Sequence, residues 1–271
     1  MIFRDYRIEA AFSEYHIVDF GDMHWGALAS DESDIKERVK EIAEGDNYWW
    51  IGMGDYLDAI NYSDKRFDPN TLPERYRICD LDDLVLLQAH EFCDIFDPIA
   101  HKCIGLHSGN HEFTIQRLHQ VNIHHEIIRR LNRYMREQKL EEDLQVITLG
   151  EMAFINISIP NLKKKFTIWS AHGTGRASSP ETALRKLKNY KRQFEADIYQ
   201  IGHLHYCVGD EEISLAYGMK EVKKIFLVTG SFLKSYIEGP ATYAERRIYS
   251  PIPLSAMEII VDGEGLKFRK F

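Results

Sequence analysis

The chain has 271 residues, 44% hydrophobic and 28% charged, a composition that buries a sizeable core and excludes intrinsic disorder. Its 34 basic and 42 acidic residues leave a formal charge of −8, which argues against a general nucleic-acid or membrane-surface binder but permits a local basic groove. Cys79, Cys93, Cys103 and Cys207 form no C-x-x-C pair, no stretch approaches the ~18 apolar residues of a membrane span, and Arg4, Asp5, Arg7 and Glu9 speak against a signal peptide. The expectation is a cytoplasmic protein forming a single domain over residues 1–271, with no membrane partner. Its 12 histidines are the feature to explain.

In chain order, Glu14 to Phe20 reads as a strand ending at Gly21. Ser30 to Glu44 reads as a helix, because Ile35, Val39 and Ile42 recur at spacings of four and three behind a capping Ser30 or Asp31. Tyr48 to Met53 is a second strand, stopped by Gly54. Asn61 to Tyr76 looks irregular, with Pro69 and Pro73, and a helix follows over roughly Asp80 to Phe96. Lys102 to His107 is a third strand, closed by Ser108-Gly109, and His111 to about Gln138 reads as one helix. Leu144 to Leu149, Ala153 to Ile159 and Phe166 to Ala171 are strand-like. Ser179-Pro180 opens another helix, with Ala183, Leu187, Tyr190 and Phe194 along one stripe. Strands recur at Asp197 to Ile201, Ile225 to Thr229 and Ala256 to Val261. This order suggests two packed sheets with helices outside them rather than one doubly wound sheet.

The residues just after the strands share a pattern. They are Gly21-Asp22-Met23-His24, Gly54-Asp55-Tyr56-Leu57-Asp58, Gly109-Asn110-His111-Glu112, His172-Gly173 and Gly202-His203-Leu204-His205. Five strand ends each bring Asp, Asn or His beside a glycine, at the carboxyl ends where layered α/β folds bind ligands. Pooled, Asp22, His24, Asp55, Asn110, His172, His203 and His205 are oxygen and imidazole donors without a thiolate, a set suited to Mn, Fe, Zn, Ni or Co. Seven donors exceed the needs of one tetrahedral ion and suit two divalent ions sharing a carboxylate, the arrangement that clamps both sides of an in-line phosphoryl displacement. Each piece alone has an ordinary explanation, a turn aspartate or a packed histidine; their joint occurrence in order does not.

The series D-x-H, G-D-x-x-D, G-N-H-E, H-G and G-H-x-H resembles the calcineurin-like metallophosphoesterases over Asp22 to His205, about two-thirds of the chain. The resemblance implies a four-layer α/β/β/α sandwich of two mixed sheets with flanking helices, and a dinuclear site at the sheet ends. It also implies that Asp22, His24 and His205 hold one metal, that Asn110, His172 and His203 hold the other, and that Asp55 bridges them. His111 matches the family's non-ligand histidine, which stabilises the transition state or protonates the leaving oxygen. Gly21 is a mild departure, standing where many members carry Ser or Ala.

The expected function is therefore hydrolysis of a phosphoester substrate with two divalent ions, Mn first among the candidates. A small nucleotide-like or other diester is preferred over the rival of a repair-type nuclease acting on nucleic acid. A scaffold that binds protein partners without cleaving is disfavoured, because no motif residue is missing. Asp58 and Glu112 are candidates to orient the ligands. Arg176, in the loop after His172, is a candidate substrate contact, while Arg185, Lys188 and Arg192 form either a solvated helix face or a phosphate-tracking strip. Segment 229–253, rich in Tyr, either lines the cleft or is an ordinary connection.

Overall fold

The computed structural model describes residues 1–140 and 144–271. Its strands are β1 (Ile2–Arg7), β2 (Glu14–Phe20), β3 (Tyr48–Gly52), β4 (Cys103–His107), β5 (Thr148–Gly150), β6 (Met152–Ile159), β7 (Lys164–Ala171), β8 (Ile198–Ile201), β9 (Cys207–Ala216), β10 (Lys220–Thr229), β11 (Met257–Asp262) and β12 (Leu266–Lys270). They form two six-stranded mixed sheets, ordered β12-β11-β2-β3-β4-β5 and β1-β6-β7-β8-β10-β9. The helices are α1 (Glu32–Glu44), α2 (Leu84–Phe96), α3 (Asn110–His119), α4 (Ile123–Glu137), α5 (Pro180–Asn189) and the short α6 (Tyr243–Arg246). Among the described residues no helix is long and apolar enough to cross a membrane.

Strand alternation builds the layers. In β2, Tyr15 and Ile17 face the second sheet, while Val18 and Phe20 join the cluster formed with Ile35 and Val39 of α1, Phe92 of α2 and Leu131 of α4. In the second sheet, Ile198, Ile225 and Leu227 meet the first sheet, and Tyr199, Phe226 and Val228 pack against Ala183 and Leu187 of α5. The sequence is helices, sheet, sheet, helix: a four-layer α/β/β/α sandwich. Strands β2, β3 and β4 are mutually parallel, and so are β7 and β8, so their carboxyl ends gather at one edge.

Several segments differ from the sequence expectation, among them the strand expected over residues 144–149, which is confined to Thr148–Gly150. The helix expected over residues 111–138 is broken into α3 and α4 at Gln120, which adopts a left-handed backbone with φ 58°. A 3₁₀ turn at Ile78–Asp80 delays α2 to Leu84. Strands β1, β9 and β12 carry no clear sequence signal: each lies at a sheet edge and carries charged residues that mask its alternation.

Candidate metal centre

The loops after β2 and β3 run side by side. The Asp22 N–H donates to the Gly54 carbonyl at 2.9 Å, and the Met23 and His24 N–H groups both donate to the Asp55 carbonyl at 3.0 and 3.1 Å. Asp22, His24, Asp55, His203 and His205 all hold positive φ, between 47° and 63°. L-residues seldom adopt this region, and backbone strain of this kind persists where surrounding structure fixes it, characteristically at functional sites. Here it turns each side chain inward immediately beyond its strand. Close approach of the loops depends on glycine at position 109, where a Cβ would lie 2.1 Å from the Asp55 nitrogen and 2.2 Å from its Oδ1. Gly109→Ala is expected to displace Asp55, lowering stability by the ~1–3 kcal/mol of an overpacked core. It should also shrink any rise in melting temperature that an added divalent cation such as Mn produces. Melting curves with and without metal measure both effects.

The seven ligand candidates form two adjacent groups. In the first, Asp22, His24 and His205 each present a donor atom within 4.8 Å of the others. His205 Nε2 lies 3.3 Å from Asp22 Oδ1 and 3.4 Å from His24 Nε2. In the second, Asp55, His172 and His203 are equally close, and the Asn110 side chain reaches into the same space. The terminal amide atom of Asn110 lies 2.7 Å from His203 Nδ1 and 3.2 Å from both Asp55 Oδ2 and His172 Nε2. His172 Nδ1–H donates to the Met53 carbonyl at 2.7 Å, which fixes the ring and turns Nε2 toward Asp55, 3.4 Å away.

The donor chemistry fits divalent cations. Asp22 Oδ1 is buried and forms no well-aligned hydrogen bond, with His205 Nε2 an ion-pair neighbour 3.3 Å away, while its Oδ2 takes the His203 N–H at 2.8 Å. An orphaned carboxylate oxygen in this position calls for a positive partner. The electrostatics agree. Burial opposes protonation of His172, yet the Asp55 charge and hydrogen bond outweigh it and raise the imidazole to about 10. Burial likewise opposes a charged His205, and Asp22 overcomes it to raise that ring as well. Buried imidazoles are raised where nearby negative charge outweighs desolvation, and the same charge favours a bound cation. Hard oxygens and borderline imidazoles without sulfur match Mn, Fe, Zn, Ni or Co.

Around these groups lies a supporting layer. Glu112 is buried, and its carboxylate accepts from the N–H groups of Gly109, Asp55 and Leu57 at 2.9, 3.1 and 3.2 Å, tying the loop after β4 to the loop after β3. Burial, followed by the charge of Asp55, pushes the Glu112 carboxyl up to about 7. His111 donates its backbone N–H to Asp55 Oδ1 at 2.9 Å and its Nδ1–H to the Asp58 carbonyl, and it stands edge-on to His24 with ring centroids 4.6 Å apart. The Asp58 side chain is grouped with His24 and His111, and burial raises its carboxyl to about 6. His107 is not part of the cluster: its ring bonds the Gly150 carbonyl and Ser170 Oγ between the sheets.

Sequence reasoning missed Arg66, which stands 3.5 Å from His111 Nε2. Its only sequence signal is a charge-dense Asp64-Lys65-Arg66 run in an irregular segment soon after Asp55. Arg176 is exposed on the loop after His172. On α5, Lys188 pairs with Asp210 at 2.5 Å and Glu212 at 3.1 Å, and Lys191 also pairs with Glu212. In segment 229–253, the Ser231 hydroxyl donates to the Asp22 carbonyl at 2.8 Å and the Phe232 N–H to the same oxygen at 3.1 Å, so this connection braces the first ligand loop.

No protein-family model and no curated protein matches the sequence. Solved structures do. Vps29 from Entamoeba histolytica complexed with zinc is 16% identical at a TM-score of 0.41, covering 94% of this chain and 98% of that one. A metallophosphoesterase from Sphaerobacter thermophilus is 10% identical at a TM-score of 0.34, covering 94% and 88%. The NAD nucleotidase of Haemophilus influenzae is 10% identical at a TM-score of 0.42, covering 95% of this chain and 49% of that one. With identities and TM-scores this low, the chemistry rests on the side chains themselves.

Proposed function

We propose that this chain is a calcineurin-like metallophosphoesterase that hydrolyses P–O bonds with two divalent metal ions. The observation that carries the reading is the pair of adjacent donor groups built from seven residues on five strand ends. Asp22, His24 and His205 would hold one ion, Asn110, His172 and His203 the other, with Asp55 shared between them. When bound, such ions polarise a phosphoryl oxygen and lower the pKa of water.

The chain's own residues supply the rest. His111 is fixed through Nδ1 and through its backbone N–H, which leaves Nε2 at the open side of the cluster to hand a proton to the departing alkoxide. Glu112 keeps the two ligand loops in register, and the Met53 carbonyl orients His172. The substrate class we favour is a small diester, nucleotide-like or otherwise. In the α5 strip that could track a polynucleotide, Lys188 is paired with acids of β9, and the whole-chain charge of −8 opposes approach of a polyanion.

A substrate panel tests this. The Mn-loaded chain is expected to hydrolyse bis(4-nitrophenyl) phosphate and to lose that activity in chelator. It should cleave single- or double-stranded DNA poorly at physiological salt. Preferential cleavage of DNA, with a steep salt dependence, would assign the nuclease instead. Absence of metal-dependent turnover on every ester tested would refute the enzyme.

A further inference from the structure

One strongly charged side chain at the rim belongs to neither donor group. Arg66 lies in the irregular stretch between β3 and α2, and its Nη1 stands 3.5 Å from His111 Nε2. We propose that Arg66 is the residue that grips the substrate's phosphoryl anion, donating to a non-bridging oxygen beside His111; this inference rests on the phosphoesterase reading above.

The guanidinium is held for that purpose on one edge only. Asp64 accepts from Nε at 3.1 Å and from Nη2 at 2.7 Å, which leaves Nη1 directed at His111. The stretch carrying it is braced on both sides. Asn61 Nδ2 and Ser63 Oγ bond His119 Nε2 of α3 at 2.9 and 3.2 Å, and Asp68 pairs with Arg246 of α6 at 2.6 Å. Within the stretch, the Phe67 N–H donates to the Asp64 carbonyl at 2.9 Å. A pre-positioned guanidinium loses less entropy per hydrogen bond formed than a free one.

The neighbourhood also selects the ligand's charge. Arg66 brings a permanent positive charge to the rim, 3.5 Å from His111 Nε2, and such a charge favours an anionic group beside it. A phosphoryl group seated there supplies that anion. With Nε and Nη2 taken by Asp64, Nη1 is the edge of the guanidinium placed to donate to a non-bridging oxygen.

The test uses Mn-loaded wild type, Arg66→Ala and Arg66→Lys. Metal per chain, affinity for inorganic phosphate by calorimetry, and kcat and KM for bis(4-nitrophenyl) phosphate are measured on each. The Arg66 side chain is 37% exposed, so neither substitution threatens the core. Arg66→Ala should keep its metal and lose roughly 10- to 100-fold in both phosphate affinity and kcat/KM, the range for one charge-assisted hydrogen bond. Arg66→Lys should fall between, keeping the charge and losing the fork, and added guanidinium ion should restore part of the Arg66→Ala rate. Unchanged phosphate affinity and kcat/KM in Arg66→Ala overturn the role of Arg66 and leave the phosphoesterase standing. A wild type that takes up neither Mn nor phosphate overturns both.

Discussion

Asp55→Asn is expected to lower bound metal per chain and to cut diester turnover by at least the ~10²–10³-fold that one lost electrostatic contact to a transition state costs. The substitution is nearly isosteric, so its effect is electrical. Asp55 is 2% exposed, and it is the carboxylate within reach of His172, whose ring its charge drives up to about 10. It is held by the His111 N–H on Oδ1, while Met23 and His24 donate to its backbone carbonyl, a bond that Asn preserves. The neutral side chain therefore keeps the loops and loses the negative charge that the proposed pair of dications would share. Elemental analysis reads the metal directly. Melting curves supply a second reading: wild type should rise in melting temperature with added Mn by mass action, and Asp55→Asn much less. Full metal occupancy with near-normal rates in the variant would remove Asp55 from its shared position.

The placement of much of this candidate site is legible in the sequence, for a physical reason. Buried strands advertise themselves as short apolar runs, and the glycines that follow mark where the chain turns, so Asp22, Asp55, Asn110, His172 and His203 could each be placed at a strand end. Which donors share a group is a property of the packed sheets, and in the sequence it was supplied only by the family resemblance. The elements that escaped are those whose residues do not report burial. β1 carries Arg4, Asp5 and Arg7 because it is an edge strand, and the outer halves of β9 and β10 form an exposed hairpin with Ile213, Leu215, Tyr217 and Met219 in solvent. The break between α3 and α4 falls at Gln120, a residue that gives no warning of a left-handed backbone. Arg66 escaped for a different reason. Its position follows from Asp64, His119 and the Asp68–Arg246 pair, contacts from an irregular segment that no periodicity encodes.

His111→Ala is expected to separate binding from chemistry. The histidine contributes nothing to the two donor groups through its ring, and its backbone N–H bond to Asp55 Oδ1 survives truncation, so metal content should match wild type. The rate should fall by the ~10²–10⁴-fold of general acid–base assistance. The size of the fall should depend on the leaving group. A poorly acidic alcohol departs as an alkoxide that needs the proton from Nε2, whereas 4-nitrophenolate departs unaided. Diesters graded by the pKa of the leaving alcohol should therefore show a steeper dependence in the variant than in wild type. A uniform loss across the series would leave His111 an electrostatic role beside the phosphoryl oxygens, shared with Arg66. Loss of metal would instead make the His24–Asp58–His111 group part of the ion's own surroundings, because these three side chains already present donor atoms within 4.8 Å of one another. The bond from Nδ1–H to the Asp58 carbonyl holds the ring and leaves Nε2 as the nitrogen through which His111 would exchange a proton with the substrate.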